Sequence, residues 1–334
     1  MTLMQKFLGA SATLALSAGA AMAEPALIFD LGGKFDKSFN EAAFNGAQRW
    51  AEETGGKFLE IELTSEAQRE QALRRFAEAG ANPVITTGFA FATPIESVAP
   101  DYPETKFVNI DGFIADIPGN VRMISFSEHE GSYLVGMLAA KATKSDTIGF
   151  IGGMDIPLIR HFACGYAQGA KSVNPDVSIV SNFTGTTPAA WNDPVKGSEL
   201  TKAQISQGAD VVYAAAGGTG VGVLQTAADE GIFSIGVDSN QNHLHPGSVL
   251  TSMLKRVDVA VYESMMAGET IETGVAVTLG LAEDGVGYAV DDNNAALLSD
   301  DMTAAVEDAK AKIISGDLEV VSYYANDSCP ALDF

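Results

Sequence analysis

The chain has 334 residues, and its 43 acidic residues outnumber its 20 basic residues, giving a net charge of −23. Nucleic-acid binding needs clustered lysine and arginine. No such cluster occurs in this sequence, so that class of function is excluded. A strongly acidic surface also repels phosphorylated molecules, which favours a neutral or cationic ligand.

The first 23 residues predict a secretory signal peptide. Lys6 precedes an apolar segment from Phe7 to Leu16, and the small residues Ala21-Met22-Ala23 form a cleavage site. The apolar segment is too short for a membrane span, although a buried first helix is an alternative. Cleavage after Ala23 would leave 311 residues with a net charge of −24, enough for two domains. Since no cysteine follows the cleavage site, we expect a soluble exported protein without a lipid anchor.

After the signal, short apolar runs alternate with amphipathic stretches, a pattern typical of parallel sheets covered by helices on both faces. The predicted strands are Ala26–Phe29, Pro83–Thr87, Phe107–Ile110, Thr147–Ile151, Asp210–Ala214, Phe233–Val237 and Leu250–Leu254.

A coarse internal repeat indicates two similar lobes. Asn82–Gly88 followed by Asp111 corresponds to Ala209–Ala215 followed by Asp238, at an offset of 127 residues. In the preceding helices, Asn45–Gln48 corresponds to Gln168–Lys171 at an offset of 123. Fixed offsets are an architectural signal, although βα units also resemble one another by chance. Two such lobes predict a cleft that receives the loops at the carboxyl ends of the strands.

Aromatic side chains stand out in two of these loops. Phe39 ends the polar loop Asp30–Asn40, which also offers Asp30, Asn40 and two glycines, and Trp191 lies in a polar segment of the second half. Stacking a ring on a nucleobase contributes roughly 1–3 kcal/mol, so the two residues could clamp a flat ligand. Packing of Phe39 onto the following helix is the alternative.

Polar candidates occupy the other predicted loops. Asp111 and Asp238 stand at equivalent strand ends and could accept hydrogen bonds from a ligand or cap the following helices. Lys255 follows a predicted strand, where it could pair with Asp238, donate to a ligand or be exposed. Gly217–Gly222 does not match a phosphate-binding motif, but Gly217 and Gly218 would let the backbone approach a ligand closely.

The sequence predicts no catalytic residue, no metal site and no cofactor. His243 and His245 are only weakly suggestive of metal binding, and no G-x-S-x-G motif occurs. Cys164 and Cys329 could form a disulfide in an exported protein, but the sequence leaves their pairing open.

At the level of motifs the chain resembles the basic membrane protein family of ABC transporter substrate-binding proteins, which includes a purine nucleoside receptor. The motifs are Asp30-x-Gly-Gly-x-x-Asp36-Lys-Ser-Phe39-Asn40, Lys106–Gly112, Gly131–Gly136, Ile148–Gly153, Gly208–Val212, Ala216–Gly220, Ile235–Gln241 and Lys255–Asp258. They extend over nearly the whole mature chain. Two departures are the Phe35-Asp36 pair, where relatives often have Asp-Asp, and the glycine-rich segment, which varies between members. At the position of Trp191 the family usually has phenylalanine.

The resemblance implies a type I periplasmic-binding-protein fold, an α/β architecture with two Rossmann-like lobes and three crossovers. We expect lobe one to comprise residues 24–128 and about 254–280, and lobe two about 129–253 and about 281–334. The resemblance also implies a monomeric receptor that binds a purine nucleoside or base and serves an inner-membrane ABC permease.

By the same resemblance, Phe39 and Trp191 stack on the base, while Asp111 bonds it beside Asp30 and Asn40. Ribose would be held by Asp238, Lys255 and the glycine-rich segment. Lys34, Asp36 and Lys37 are expected to serve loop structure and surface. Two alternatives remain: a nucleoside hydrolase, or a receptor of the same fold for a sugar or signalling molecule.

Overall fold

A computed structural model describes residues 23–334, so the signal peptide predicted for residues 1–23 lies almost wholly outside the described residues. The chain forms two six-stranded sheets. The first contains β1 (Ala26–Phe29), β2 (Leu59–Glu62), β3 (Val84–Thr87), β4 (Phe107–Ile110), β5 (Val121–Phe126) and β11 (Val275–Leu279). The second contains β6 (Thr147–Met154), β7 (Ser178–Gly185), β8 (Val211–Ala215), β9 (Phe233–Asp238), β10 (Val249–Lys255) and β12 (Val286–Tyr288).

Nine α-helices within residues 23–334 accompany the sheets. They are α1 (Phe39–Thr54), α2 (Gln68–Glu78), α3 (Ala92–Val98), α4 (Glu128–Ala142), α5 (Pro157–Val173), α6 (Pro194–Ser206), α7 (Thr219–Asp229), α8 (Val257–Ala267) and α9 (Asp300–Ser315). Buried apolar residues fill the space between helices and sheets on both faces of each sheet. This is the doubly wound α/β arrangement that the alternating pattern predicts.

The two sheets have the same strand order, which confirms the prediction of two similar lobes. The first runs β11-β5-β4-β3-β1-β2 and the second β12-β10-β9-β8-β6-β7. All pairs are parallel except β10 with β12, which are antiparallel. In each sheet the order reverses beside the first strand, β1 or β6, and such switch points create ligand crevices.

The repeated glycines in α1 and α5 have the same structural role. A Cβ at Gly46 would lie 2.1 Å from the Asp258 carbonyl oxygen of α8, and one at Gly169 would lie 1.9 Å from the Tyr133 carbonyl oxygen of α4. Each glycine therefore lets two helices cross in direct backbone contact. The repeated sequence thus corresponds to the same kind of helix–helix contact in both lobes.

Three short crossover segments, which lie next to one another, connect the two sheets. They follow β5, β10 and β11. Ser127 N–H donates to the Leu279 carbonyl (3.0 Å), and Arg256 N–H donates to the Gly285 carbonyl (2.8 Å). These bonds join all three crossovers into one hinge region. We propose that the lobe boundaries fall at these crossovers.

A disulfide joins Cys164 of α5 to Cys329 near the carboxyl end of the chain, with a Cα–Cα distance of 5.5 Å. Gln168 adds two hydrogen bonds of 2.9 Å to the backbone of Val321. The terminal segment is thereby fixed to α5. The structure settles a pairing that the sequence left open.

Candidate ligand-binding cleft

A cavity of about 660 Å³, part of it open to solvent, lies between the lobes. Eight of the nine predicted site residues line it: Asp30, Phe39, Asn40, Asp111, Trp191, Gly217, Asp238 and Lys255. The loops after β1, β3, β4 and β8 and the last two residues of β9 contribute, as expected for the carboxyl ends of strands in two facing sheets.

Asp36 organises the loop that precedes α1. Its carboxylate accepts hydrogen bonds from the backbone N–H groups of Ser38 (2.8 Å), Asn40 (3.0 Å) and Glu41 (3.1 Å). These N–H groups would otherwise lack partners at the helix start. Burial raises the pKa of Asp36 to about 7, against the opposing effect of the three N–H bonds. The expected role in loop structure fits this capping, but Asp36 is buried beside the cavity and does not lie on the surface.

The Asn40 side chain holds the loop together. Its amide donates to the carbonyl oxygens of Asp30 (3.3 Å) and Gly33 (3.2 Å), and its oxygen accepts from the Thr87 hydroxyl (2.8 Å). Both amide hydrogens are thus already used. Asn40 therefore positions the loop in this structure and leaves only acceptor capacity for a ligand.

Arg69 of α2 fixes the Asp30 carboxylate. Its Nε lies 3.0 Å from Asp30 Oδ1 and its Nη2 lies 3.2 Å from Oδ2. Such two-point pairing sets the plane of the carboxylate. Burial raises the pKa of Asp30, while Arg69 acts in the opposite direction. The sequence analysis did not identify Arg69, because a cation on an amphipathic helix is normally exposed.

Lys255 lies at the centre of a buried ionic cluster and is only 2% exposed. Its Nζ lies 2.7 Å from Asp111 Oδ2 and 2.8 Å from Glu128 Oε1. Burial lowers the pKa of Lys255, but the neighbouring carboxylates outweigh it and raise that pKa overall. Lys255 therefore pairs with Asp111 and Glu128, not with Asp238 as the sequence suggested. The third hydrogen on its Nζ remains available for a ligand.

Glu128 connects this cluster to the hinge, since it begins α4 directly after the first crossover. Its Oε2 lies 3.2 Å from His161 Nδ1. Burial would raise the pKa of Glu128, but Lys255 and His161 lower it to about 2. Glu128 was missed from the sequence because an acidic residue in a first helical turn usually interacts with the helix dipole.

The two carboxylate oxygens of Asp111 differ in their hydrogen bonding. Oδ2 accepts from Lys255, whereas Oδ1 is buried and has no hydrogen-bond partner among residues 23–334. Burial raises the pKa of Asp111 to about 7, with Lys255 opposing this effect. A buried acceptor without a partner is costly, so Asp111 Oδ1 is suited to receive a donor from a ligand.

Asp238 is the counterpart of Asp111 in the second lobe. Both residues have a positive φ, 63° for Asp238 and 73° for Asp111. Asp111 directly follows β4 and Asp238 is the last residue of β9, and these strands occupy equivalent positions in the two sheets. The Asp238 carboxylate accepts a hydrogen bond from the Ser38 hydroxyl across the cleft. Burial raises the pKa of Asp238, while Lys255 and Ser38 act against it.

Aromatic residues from both lobes face the cavity. Phe39 is the first residue of α1, and its ring centroid lies 5.3 Å from Lys255 Nζ. Trp191 ends a short 3-10 helix after β7. Phe89 and Phe162 also line the cavity. The sequence analysis missed these two because Phe162 belongs to an apolar face of α5 and Phe89 to a short hydrophobic cluster, both typical of core packing.

The glycine-rich segment is mostly helical. Gly217 has a φ of 56° and lines the cavity, whereas Gly218 immediately precedes α7 and is not among the lining residues. A Cβ at Gly222 would lie 1.9 Å from the Pro194 carbonyl oxygen of α6. Gly222 therefore serves helix packing, a role that a run of glycine in the sequence does not distinguish from a ligand loop.

Comparison with known proteins identifies the family. The family model described as ABC transporter substrate-binding protein PnrA-like matches residues 24–323. The chain belongs to this family. The resemblance inferred from the motifs is thus confirmed, and the protein is a non-enzymatic substrate-binding protein of an ABC transporter.

Individual relatives agree with the family model. The ABC transporter nucleoside-binding protein BmpA of Lactococcus lactis is 32% identical, with 89% of this chain and 88% of the relative covered. Basic membrane protein A of Borreliella afzelii is 31% identical, with 96% and 97% covered. A solved solute-binding protein from Aeropyrum pernix matches with a TM-score of 0.82 and 32% identity, covering 91% of this chain and 95% of that chain. The type I periplasmic-binding-protein fold is thereby confirmed.

The hydrolase alternative is wrong, because the family binds its substrate without chemistry. Within residues 23–334, no group of three or more histidine, cysteine or acidic residues is arranged to hold a metal ion. In the same range, no helix is both long and apolar enough to cross a membrane.

Proposed function

We propose that this protein is the receptor of an ABC importer for a purine nucleoside or purine base, which it binds between its lobes and delivers to an inner-membrane permease. The observation that carries the proposal is Asp111, which lines a cavity with aromatic residues from both lobes and whose buried Oδ1 has no hydrogen-bond partner among residues 23–334. A purine offers a flat ring for the aromatic residues and an N–H group for the carboxylate.

The roles of the remaining residues follow from their chemistry. Phe39 and Trp191 stack on the base, and Asp111 accepts its N–H group, with Asp30 and Asn40 beside it. The ribose hydroxyls then face Asp238, the third Nζ hydrogen of Lys255 and the backbone at Gly217. Gly218 supports this backbone from the start of α7.

The charge of the cavity favours an unphosphorylated ligand. Four lining residues are aspartates, whereas Lys255 is the sole cation among the lining residues. A phosphate group would bring further negative charge into this buried cluster. The relative from Lactococcus lactis is described as nucleoside-binding, in agreement with the proposal.

We further propose that the mature protein is a soluble monomer in the periplasm, released by cleavage after Ala23. The predicted signal supports export, and the family implies a permease partner on the inner membrane. The permease carries the ligand across the membrane, so the receptor itself needs only to bind the ligand and release it.

Isothermal titration calorimetry with guanosine, inosine, adenosine, the free bases, guanosine monophosphate, ribose and glucose tests the proposal. We expect one-to-one binding of at least one nucleoside or base and none of the monophosphate. Binding of a sugar without any purine would instead establish the same-fold sugar receptor.

Two variants test the site. Trp191→Ala and Asp111→Ala are each expected to weaken purine binding by at least tenfold without unfolding the protein. Phe113→Ala removes an aromatic ring that is 83% exposed and serves as the matched control. Unchanged affinity in both site variants would refute these assignments.

A further inference from the structure

The indole of Trp191 rests directly on Gly153 near the end of β6. A Cβ at Gly153 would lie 2.0, 2.4 and 2.7 Å from Cζ3, Cε3 and Cη2 of Trp191. All three atoms belong to the six-membered ring of the indole. Gly153 is not among the glycines with positive φ, so the backbone does not require glycine here. The requirement is the space that the indole occupies.

Trp191 connects Gly153 to the ligand cavity. Trp191 lines the cavity, whereas Gly153 does not. A side chain at position 153 would therefore act on the cavity through Trp191. Gly153 lies between Gly152 and Met154, which both pair with β7, so the strand resists a shift and a side chain at position 153 would displace the indole.

The surroundings of this contact are also fixed. The Thr184 hydroxyl of β7 lies within hydrogen-bond distance of the Gly153 carbonyl (3.2 Å) and of the Ala190 carbonyl (3.0 Å), and it can donate its single hydrogen to either. One side chain thus ties the strand below the indole to the residue that precedes Trp191. Thr184 therefore bridges the backbone at Gly153 and the backbone next to Trp191.

We propose that Gly153 is a positioning and specificity-determining residue, which sets the depth of the Trp191 indole and so the width of the space left for a flat ligand. This role deepens the proposed function and rests on it for the identity of the ligand. Tryptophan at 191 needs glycine at 153, whereas a smaller ring at 191 tolerates alanine there.

Fluorescence measures the position of the indole without a ligand. The sequence contains two tryptophans, Trp50 and Trp191, so Trp191 is the sole emitter in a Trp50→Phe background. In that background, Gly153→Ala is expected to shift the emission maximum and to raise acrylamide quenching. Gly287→Ala is the matched control, because Gly287 lies on β12 of the same sheet and a Cβ there has no neighbour within 4 Å.

A double-mutant cycle tests the effect on binding. Against the purine panel described above, Gly153→Ala is expected to weaken the tightest interaction at least tenfold. In a Trp191→Phe background the same change should cost less than threefold. Equal losses in both backgrounds, or an unchanged emission spectrum, would overturn the proposal.

The outcomes separate this proposal from the proposed function. If no purine binds the parent protein, the proposed function fails, while the fluorescence comparison still decides whether Gly153 supports the indole. If Gly153→Ala does not fold, Gly153→Ala with Trp191→Phe should restore folding. Failure of that double variant to fold would place the role of Gly153 elsewhere and overturn the inference.

Discussion

The buried carboxylates of the cleft differ in how far the protein itself satisfies them. Asp36 accepts three backbone N–H groups and Asp30 is paired with Arg69. Asp111, in contrast, keeps one buried oxygen without a partner among the described residues. Asp36 and Asp30 therefore shape the loop, and Asp111 is the carboxylate best prepared to recognise a ligand.

The raised pKa of Asp111 predicts pH-dependent binding. A carboxylate that accepts a ligand N–H must be ionised, and burial raises the pKa of Asp111 to about 7. Affinity should therefore be highest above pH 7 and fall as the pH is lowered through 7, by at most about tenfold per pH unit. Calorimetry between pH 5.5 and 8.5 measures this dependence.

Asp111→Asn is the control for that measurement, because asparagine does not titrate. We expect weaker binding in this variant and a flat pH profile. Burial also raises the pKa of Asp36 to about 7. A slope that persists in Asp111→Asn would therefore assign the effect to another lining carboxylate, such as Asp36, and contradict the role given to Asp111.

Loss of Arg69 is expected to destabilise the fold. Arg69→Ala would leave the partly buried Asp30 carboxylate without its cation. Because breaking a fully buried ion pair costs about 3–5 kcal/mol, we expect a loss below that range. Chemical denaturation measures the free energy of unfolding. Arg74→Ala on the same helix removes an exposed pair with Asp101 and should have little effect. Equal losses in the two variants would argue against a buried pairing.

At the scale of elements, the loop before α1 reaches across the cleft. The Ser239 hydroxyl donates to the Ser38 carbonyl (2.8 Å), and the Gln241 amide donates to the Lys37 carbonyl (2.9 Å). These bonds join the first lobe to the segment after β9. Closure of the lobes is thus supported by the protein as well as by the ligand, and a ligand adds its differential contacts.

Ser239→Ala is expected to shift the lobes toward the open arrangement. Because a typical hydrogen bond contributes about 0.5–1.5 kcal/mol net, the apparent affinity for a purine should fall roughly two- to twelvefold. Calorimetry gives the affinity, and small-angle scattering of the ligand-free protein reports the opening. Ser315→Ala, whose hydroxyl bonds only Lys312 and Asp317 at the end of α9, should change neither quantity.

Strands were predictable from the sequence where they are buried on both faces. β1, β3, β4, β6, β8, β9 and β10 overlap the apolar runs. β2 and β7 lie at sheet edges, and the alternating sequence Leu59–Glu62 resembles an exposed segment. β5 was missed because Arg122 and Ser125 interrupt its apolar residues. Edge strands depend on their neighbours, which local patterns do not reveal.

At the scale of the whole molecule, the repeat in the sequence predicted the two lobes. The fold brings eight of the predicted site residues into one cavity. The sequence did not predict Arg69 or Glu128, because their partners Asp30 and Lys255 lie 39 and 127 positions away in the chain. Buried ion pairs depend on the tertiary fold. The sequence predicted that Lys255 lies at a crossover, but it did not predict which carboxylates pair with it.

The disulfide is expected to stabilise the protein without affecting the ligand site. It closes a loop with a sequence separation of 165, for which chain entropy gives up to about 5 kcal/mol. Cys164→Ala with Cys329→Ala should therefore lower the unfolding midpoint, while purine affinity stays unchanged because neither cysteine lines the cavity. A reducing agent should lower the midpoint of the parent protein but not that of the variant. An unchanged midpoint in both would contradict this contribution.

The central claim is that the cleft holds a purine nucleoside or base. Mass spectrometry of the small molecules released on denaturing the natively purified protein tests it most directly, with Trp191→Ala purified in parallel as the control. The account predicts a purine nucleoside or base at near-equimolar amount from the parent protein and a much smaller amount from the variant. Release of a sugar or another non-purine compound in that amount would contradict it.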